Sequence, residues 1–207
     1  SKLLSNFIIL EGLDYTGKSS TIKELQKLIN NDSFIFTREP GGAGVELAEN
    51  IRNLILNNEM DAITEAYLFA ASRSAHTNKI QIWLNEGKTV ICDRYIYSSL
   101  YYQGILKDVG LNTIMDINTY ALKDIVPKII FYLTVSTEER NKRINNRSEN
   151  NRLDEEIIKV SHDKATNDYM EAINKFKHKD TQVINIDTSN IEPQEIAKII
   201  YKHLIIQ

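Results

Sequence analysis

Residues Phe7 to Leu25 read FIILEGLDYTGKSSTIKEL, an apolar run that breaks into a glycine-bounded loop and then resumes as a helical pattern. Within it, Gly12-Leu13-Asp14-Tyr15-Thr16-Gly17-Lys18-Ser19 satisfies GxxxxGK followed by Ser or Thr in full. A buried-type strand precedes the loop and a helix opens from it, which is the context in which this motif cradles phosphate. Glycines let the backbone bend so that successive N–H groups face phosphate oxygens, and the helix adds the positive end of its dipole. Lys18 is expected to reach the β- and γ-phosphates of a triphosphate, and Ser19 to offer its hydroxyl to Mg²⁺. The donor-nucleotide site then comprises Gly12, Leu13, Asp14, Tyr15, Thr16, Gly17, Lys18, Ser19 and Ser20.

Such a loop restricts the fold to an α/β class, and the remaining pattern agrees. Strand-length apolar runs recur at Phe7–Leu10, Phe34–Phe36, Thr89–Cys92, Ile129–Leu133 and Gln182–Ile186. Helical periodicity marks Lys18–Ile29, Val45–Leu56, Thr64–Asn85, Asn112–Leu122, Thr137–Ile144, Glu155–Phe176 and Glu192–Leu204. Alternation of this kind, with right-handed crossovers, predicts a three-layer, doubly wound, parallel five-stranded sheet of the P-loop NTPase type. Ligands of such sheets sit at the carboxyl ends of the strands.

The 207 residues suffice for one domain with a substantial core, and neither a repeat nor a Pro/Gly/Ser linker divides them. With 42% hydrophobic and 26% charged residues, the composition is that of an ordinary globular protein. A net charge of -3 argues against a nucleic acid polymer as partner, because no global positive field exists to attract one. There is one cysteine, Cys92, no signal-peptide pattern and no apolar run of about 18 residues, so a cytoplasmic protein with no membrane partner is expected. The Asn-Lys pairs at 78–79, 141–142 and 174–175 lack the Asp of a guanine-reading NKxD motif, which disfavours GTP switching.

Three further stretches place charged residues where a fold needs none: Thr37-Arg38-Glu39-Pro40-Gly41-Gly42, Leu68-Phe69-Ala70-Ala71-Ser72-Arg73, and Cys92-Asp93-Arg94-Tyr95. Each also has a bland reading, as a surface ion pair, a core aromatic beside a snorkelling arginine, or a strand-end turn. Taken together they suit a nucleoside monophosphate. Arg94 and Arg38 would hold its phosphate, Phe69 would stack on its base, and Arg73 would hydrogen-bond the base edge.

EGLDYTGKSS, FTREPGGAG, LFAASR, VICDRYIYSSLYYQG and NNRLDEE, in this order across nearly the whole chain, resemble the thymidylate kinases, which phosphorylate dTMP to dTDP with ATP. The resemblance implies Phe69 stacked on thymine, Arg73 on a thymine carbonyl, and Arg94 and Arg38 near the dTMP phosphate. It also puts Ser99 and Gln103 at polar positions facing the base, and Tyr102 where a ribose 2′-hydroxyl would have to fit. Tyr169 matches a further ring near base and sugar, Asp14 a carboxylate touching the sugar hydroxyl, and Asp93 a carboxylate approaching Mg²⁺ through water. Glu11 receives no role. A homodimer through the Thr64–Trp83 helix is also implied.

Lys142 to Glu156, KRINNRSENNRLDEE, holds four Asn, three Arg and only two apolar residues and cannot supply a core face. It matches the family's lid. Tyr15 leaves the phosphate loop without the arginine that some members carry there, so Arg147 and Arg152 become the expected source of catalytic charge, Arg152 ahead of Arg147, beside Lys18, Arg94 and Asp14. Arg140 and Arg143, just before, either approach the phosphates or remain solvated. Two alternatives stay open at this point: a deoxynucleoside kinase, which accepts an uncharged nucleoside, and a catalytically silent nucleotide-binding module.

Overall fold

The computed structural model describes residues 4–146 and 161–205. Five strands, β1 (Leu4–Gly12), β2 (Phe34–Arg38), β3 (Thr89–Asp93), β4 (Val126–Thr134) and β5 (Gln182–Asp187), form one parallel sheet in the order β2-β3-β1-β4-β5. Around it lie α1 (Lys18–Leu28), α2 (Glu46–Asn57), α3 (Ala62–Asn85), α4 (Ile96–Ser99), α5 (Leu111–Asn118), α6 (Thr137–Asn145), α7 (His162–Phe176) and α8 (Pro193–Ile205).

The central strands are apolar at consecutive positions because both faces of the sheet are covered. In β1, Phe7 and Ile9 enter one core with Ile80, Trp83, Tyr132 and Ile173, while Ile8 and Leu10 enter the other with Leu25, Ile196 and Ile200. This is the three-layer, five-stranded α/β architecture expected from the alternation. β1 lies between β3 and β4, so its carboxyl end opens beside that of β3 and brings the phosphate loop next to Asp93-Arg94.

Element ends differ from the sequence reading where side chains cap them. Asp61 accepts a hydrogen bond from the Thr64 amide at 2.6 Å, so α3 begins at Ala62. At the other end of the range, α5 stops at Asn118 rather than Leu122, and Asn118 turns its amide onto Ile114 O at 2.9 Å. Ser161 caps α7, so that helix begins at His162, and residues 155–160 of the expected span lie outside the described residues. Between β3 and α5, where no element is expected from periodicity, α4 runs into a π-helical stretch, Leu100–Leu106. Such stretches collect at functional sites, and this one carries Tyr102 and Gln103. Among the described residues no helix is long and apolar enough to cross a membrane.

Candidate active site

The phosphate loop takes its shape from three directions. A Cβ on Gly12 would stand 2.8 Å from the backbone oxygen of Leu133, so β4 can approach only because the position is glycine. Tyr15 and Gly17 adopt left-handed φ values of 69° and 79°. Finally, Arg143 Nη1 donates to Tyr15 O at 2.8 Å and Thr188 Oγ1 donates to Thr16 O at 2.8 Å. In a trans peptide the carbonyl and the next amide point opposite ways, so drawing these two oxygens outward turns the Thr16 and Gly17 amides inward. Gly12→Ala is expected to destabilise the fold by about 2 kcal/mol and to lower Tm by roughly 4–8 °C. An unchanged melting curve would mean that β4 yields freely.

Lys18 opens α1 and is 6% exposed, its Nζ bonded to Asp93 Oδ1. Burial, and after it the charge of Arg94, lowers the ammonium pKa from its ordinary value. Ser19 follows on the exposed side of the first turn. A cavity of about 600 Å³ adjoins the loop, lined by Tyr15, Gly17, Arg143, Asn190, Pro193 and Ile196 among others. Sequence reasoning left Arg143 undecided, and the structure seats it on the loop, with Glu139 Oε1 at 3.3 Å from its Nε. Arg140 is buried.

Arg94 directly follows β3. Its φ is 68°, an uncommon conformation for a long side chain. Nη2 donates to Asp14 Oδ1 at 3.3 Å, Nη1 to Ser98 Oγ at 3.2 Å and to Tyr169 Oη at 3.5 Å, and the guanidinium lies 5.2 Å from the Tyr102 ring centroid. Behind it sits Glu11, which the sequence reading gave no role. Fully buried, it accepts from Ser98 Oγ at 2.5 Å and Tyr169 Oη at 2.8 Å, and from the amides of Tyr95 and Ser98 at 3.2 and 3.1 Å. Burial pushes its carboxyl above the ordinary range, against the opposing effects of the Ser98 hydrogen bond and the Arg94 charge. A strand-end Glu carries no local signal of this; its donors come from Tyr95 at the start of α4, from α4 itself and from α7.

Arg73 is 2% exposed and held at three points. Its Nε donates to Glu39 Oε1 at 2.8 Å, Nη1 to Asn118 Oδ1 at 2.7 Å and Nη2 to Ser99 Oγ at 3.0 Å. Phe69 lies one turn earlier on the same face of α3, half-buried. Gln103 is buried, its Nε2 3.4 Å from Glu65 Oε2, and its Oε1 has no hydrogen-bond partner among the described residues. The structure therefore gathers Asp14, Arg94, Tyr102 and Tyr169 into one cluster and joins Arg73 to Ser99. Among the described residues Arg38 is not joined to either group: its Nη2 donates to Glu49 Oε2 at 2.9 Å, a different partner from the neighbouring Glu39 of the blander reading, which is buried. Arg147 and Arg152 lie outside the described residues.

The comparisons with known proteins agree with one another. Residues 10–199 match the family model described as thymidylate kinase. The thymidylate kinase of Clostridium novyi (strain NT) is 41% identical over 181 residues, covering 84% of this chain and 87% of that protein. That of Bacillus velezensis is 39% identical over 178 residues, covering 82% of each. The crystal structure of thymidylate kinase from Ehrlichia chaffeensis superimposes with a TM-score of 0.69 at 26% identity, over 99% of this chain and 100% of that one.

Proposed function

The chain belongs to the thymidylate kinase family and is a dTMP-phosphorylating enzyme, and from that premise we propose that it moves the γ-phosphoryl group of ATP to dTMP, giving dTDP, with Mg²⁺. The strongest support is the meeting of the two halves of the site at adjacent residues. Asp93 bonds Lys18 of the donor loop, and Arg94 bonds Asp14 beside the acceptor cluster. A donor phosphate on the loop amides and an acceptor phosphate on Arg94 would then face each other across one crevice, and phosphoryl transfer asks chiefly for such positioning and for fixed positive charge.

In this reading the 600 Å³ cavity takes the donor's nucleoside, with Arg143 along one wall. Ser19 and Asp93 would hold Mg²⁺, a fit to a metal that takes few protein ligands and completes its shell with water and substrate phosphate. When bound, Mg²⁺ neutralises developing charge on the phosphates. On the acceptor side Phe69 stacks on thymine, Arg73 and Ser99 meet its edge, and the orphaned Gln103 Oε1 suits the ring N3–H. Tyr102 and Tyr169 close on the sugar, and Arg38 reaches the acceptor phosphate by exchanging its pairing with Glu49.

We further propose a single domain whose segment 142–156 serves as a lid bringing Arg152, or Arg147, to the transferring group. The placement of Arg143 on the phosphate loop supports a lid leaving from that edge. A homodimer is proposed through α2 and α3, where Leu47, Leu54, Ile63 and Tyr67 are exposed. The proposed compartment is the cytoplasm, in keeping with a lone buried thiol at Cys92.

Following ADP release with dTMP and with thymidine as acceptors tests the reading. Turnover of dTMP is expected. Turnover of thymidine without dTMP would identify a deoxynucleoside kinase instead, and ATP binding without ADP formation a silent module.

A further inference from the structure

The fold encloses a second carboxylate whose chemistry the phosphoryl transfer does not use. Glu39, 5% exposed, lies just beyond β2 and is gripped at both oxygens from α3: Oε1 by Arg73 Nε at 2.8 Å, Oε2 by His76 Nδ1 at 2.7 Å. Arg73 and His76 are three residues apart and share one helix face. His76 has no exposed surface, and its Nε2 stands 2.7 Å from Thr37 Oγ1, which in turn accepts the Ala43 amide at 2.9 Å. A carboxylate only accepts, so the ring hydrogen sits on Nδ1, and Nε2 meets the Thr37 hydroxyl. On its other side the ring touches Gly42, where a Cβ would come within 2.4 Å of His76 Cδ2. The imidazole therefore has one place to be.

A buried ion pair with a histidine behind it is a poor way to gain stability, since desolvation offsets most of the attraction. It does confer direction. With Glu39 fixed at both oxygens, and with Asn118 and Ser99 holding the far end, the Arg73 guanidinium is set in one plane. Of its five N–H groups three have these partners, which leaves two for a ligand. We propose that His76 is a positioning residue for acceptor recognition: by clamping Glu39 it sets the guanidinium of Arg73 against the polar edge of the acceptor's base. This rests on the reading of Arg73 given under the proposed function.

The test compares His76→Leu, His76→Gln and His76→Asn in the full enzyme, alone and combined with Arg73→Ala, by steady-state kinetics with dTMP and ATP and by thermal melting. Asn places an amide donor near the position of Nδ1 and keeps Glu39's partner. Gln keeps a polar group toward Thr37 only, and Leu keeps neither. His76→Leu and His76→Gln are expected to raise the dTMP KM about tenfold with kcat and the ATP KM within about twofold, and His76→Asn to stay within about threefold of the parent. In the Arg73→Ala background the His76 changes should add less than about twofold, because the group being positioned is gone.

An unchanged dTMP KM in both the Leu and Gln variants overturns the inference, as does a His76 effect of equal size with and without Arg73, or a uniform loss of kcat and of both KM values. The Gln variant decides the matter if the Leu variant fails to fold. Failure of the underlying reading looks different: Arg73→Ala itself would then leave the dTMP KM unmoved.

Discussion

Lys18→Met is expected to lower kcat for dTMP phosphorylation by about 10³-fold, with both substrates saturating and the protein still folded. Methionine retains most of the aliphatic stem in a place that is 6% exposed, so packing is largely preserved. What disappears is a preorganised positive charge at the junction of donor loop and acceptor cluster. Asp93, the partner left behind, keeps 24% of its side chain exposed and is rehydrated at little cost. Timing ADP release under saturation, beside a melting curve, measures the effect. A kcat within tenfold of the parent would show that the ammonium of Lys18 does not stabilise the transferring group.

Arg94→Ala should fall most heavily on the acceptor. Its guanidinium is the hub linking Asp14, Ser98, Tyr169 and the Tyr102 ring, and in the proposed reaction it supplies the fork that fits a phosphate dianion. A loss of roughly 10³-fold in kcat/KM for dTMP is expected, with the ATP KM within about twofold. Arg94→Lys should recover little, because it returns a charge without the planar pair of donors. Substitution also acts on Glu11, whose carboxyl burial already raises above its ordinary range and which would lose the opposing charge of Arg94. If kcat/KM for dTMP stayed within fivefold of the parent, the acceptor phosphate would have to lie elsewhere.

Much of the fold was legible because its signals are local and redundant. Phe7–Leu10 is apolar at every position, and only a strand covered on both faces requires that. The phosphate loop is likewise contiguous, so its motif and its context appear in one window. Leu100–Leu106 was not legible: consecutive aromatics show no helical period, and their winding depends on tertiary packing such as the stacking of Tyr101 on Tyr169 at 5.1 Å. Glu11 escaped for a related reason, since its donors Tyr95, Ser98 and Tyr169 are 84 to 158 positions away. His76 carries no motif of its own, and its role emerges only from the carboxylate of Glu39 that it shares with Arg73. Arg38 illustrates the converse case. A motif suggests a place beside the acceptor phosphate, and no local signal announces the pairing with Glu49, 11 positions away, that the folded chain gives it.

Thr188 secures the phosphate loop from 172 positions further along the chain. A contact of that span carries a large chain-closure cost and rewards it only after the intervening elements have formed. This tether therefore needs β5 seated beside β4 at the sheet's far edge, since Thr188 directly follows β5 and its amide bonds Thr134 O at 2.8 Å. A contiguous motif thus depends on a distant residue: a chain cut before β5 would display the entire motif and lack the Thr188 bond to Thr16 O.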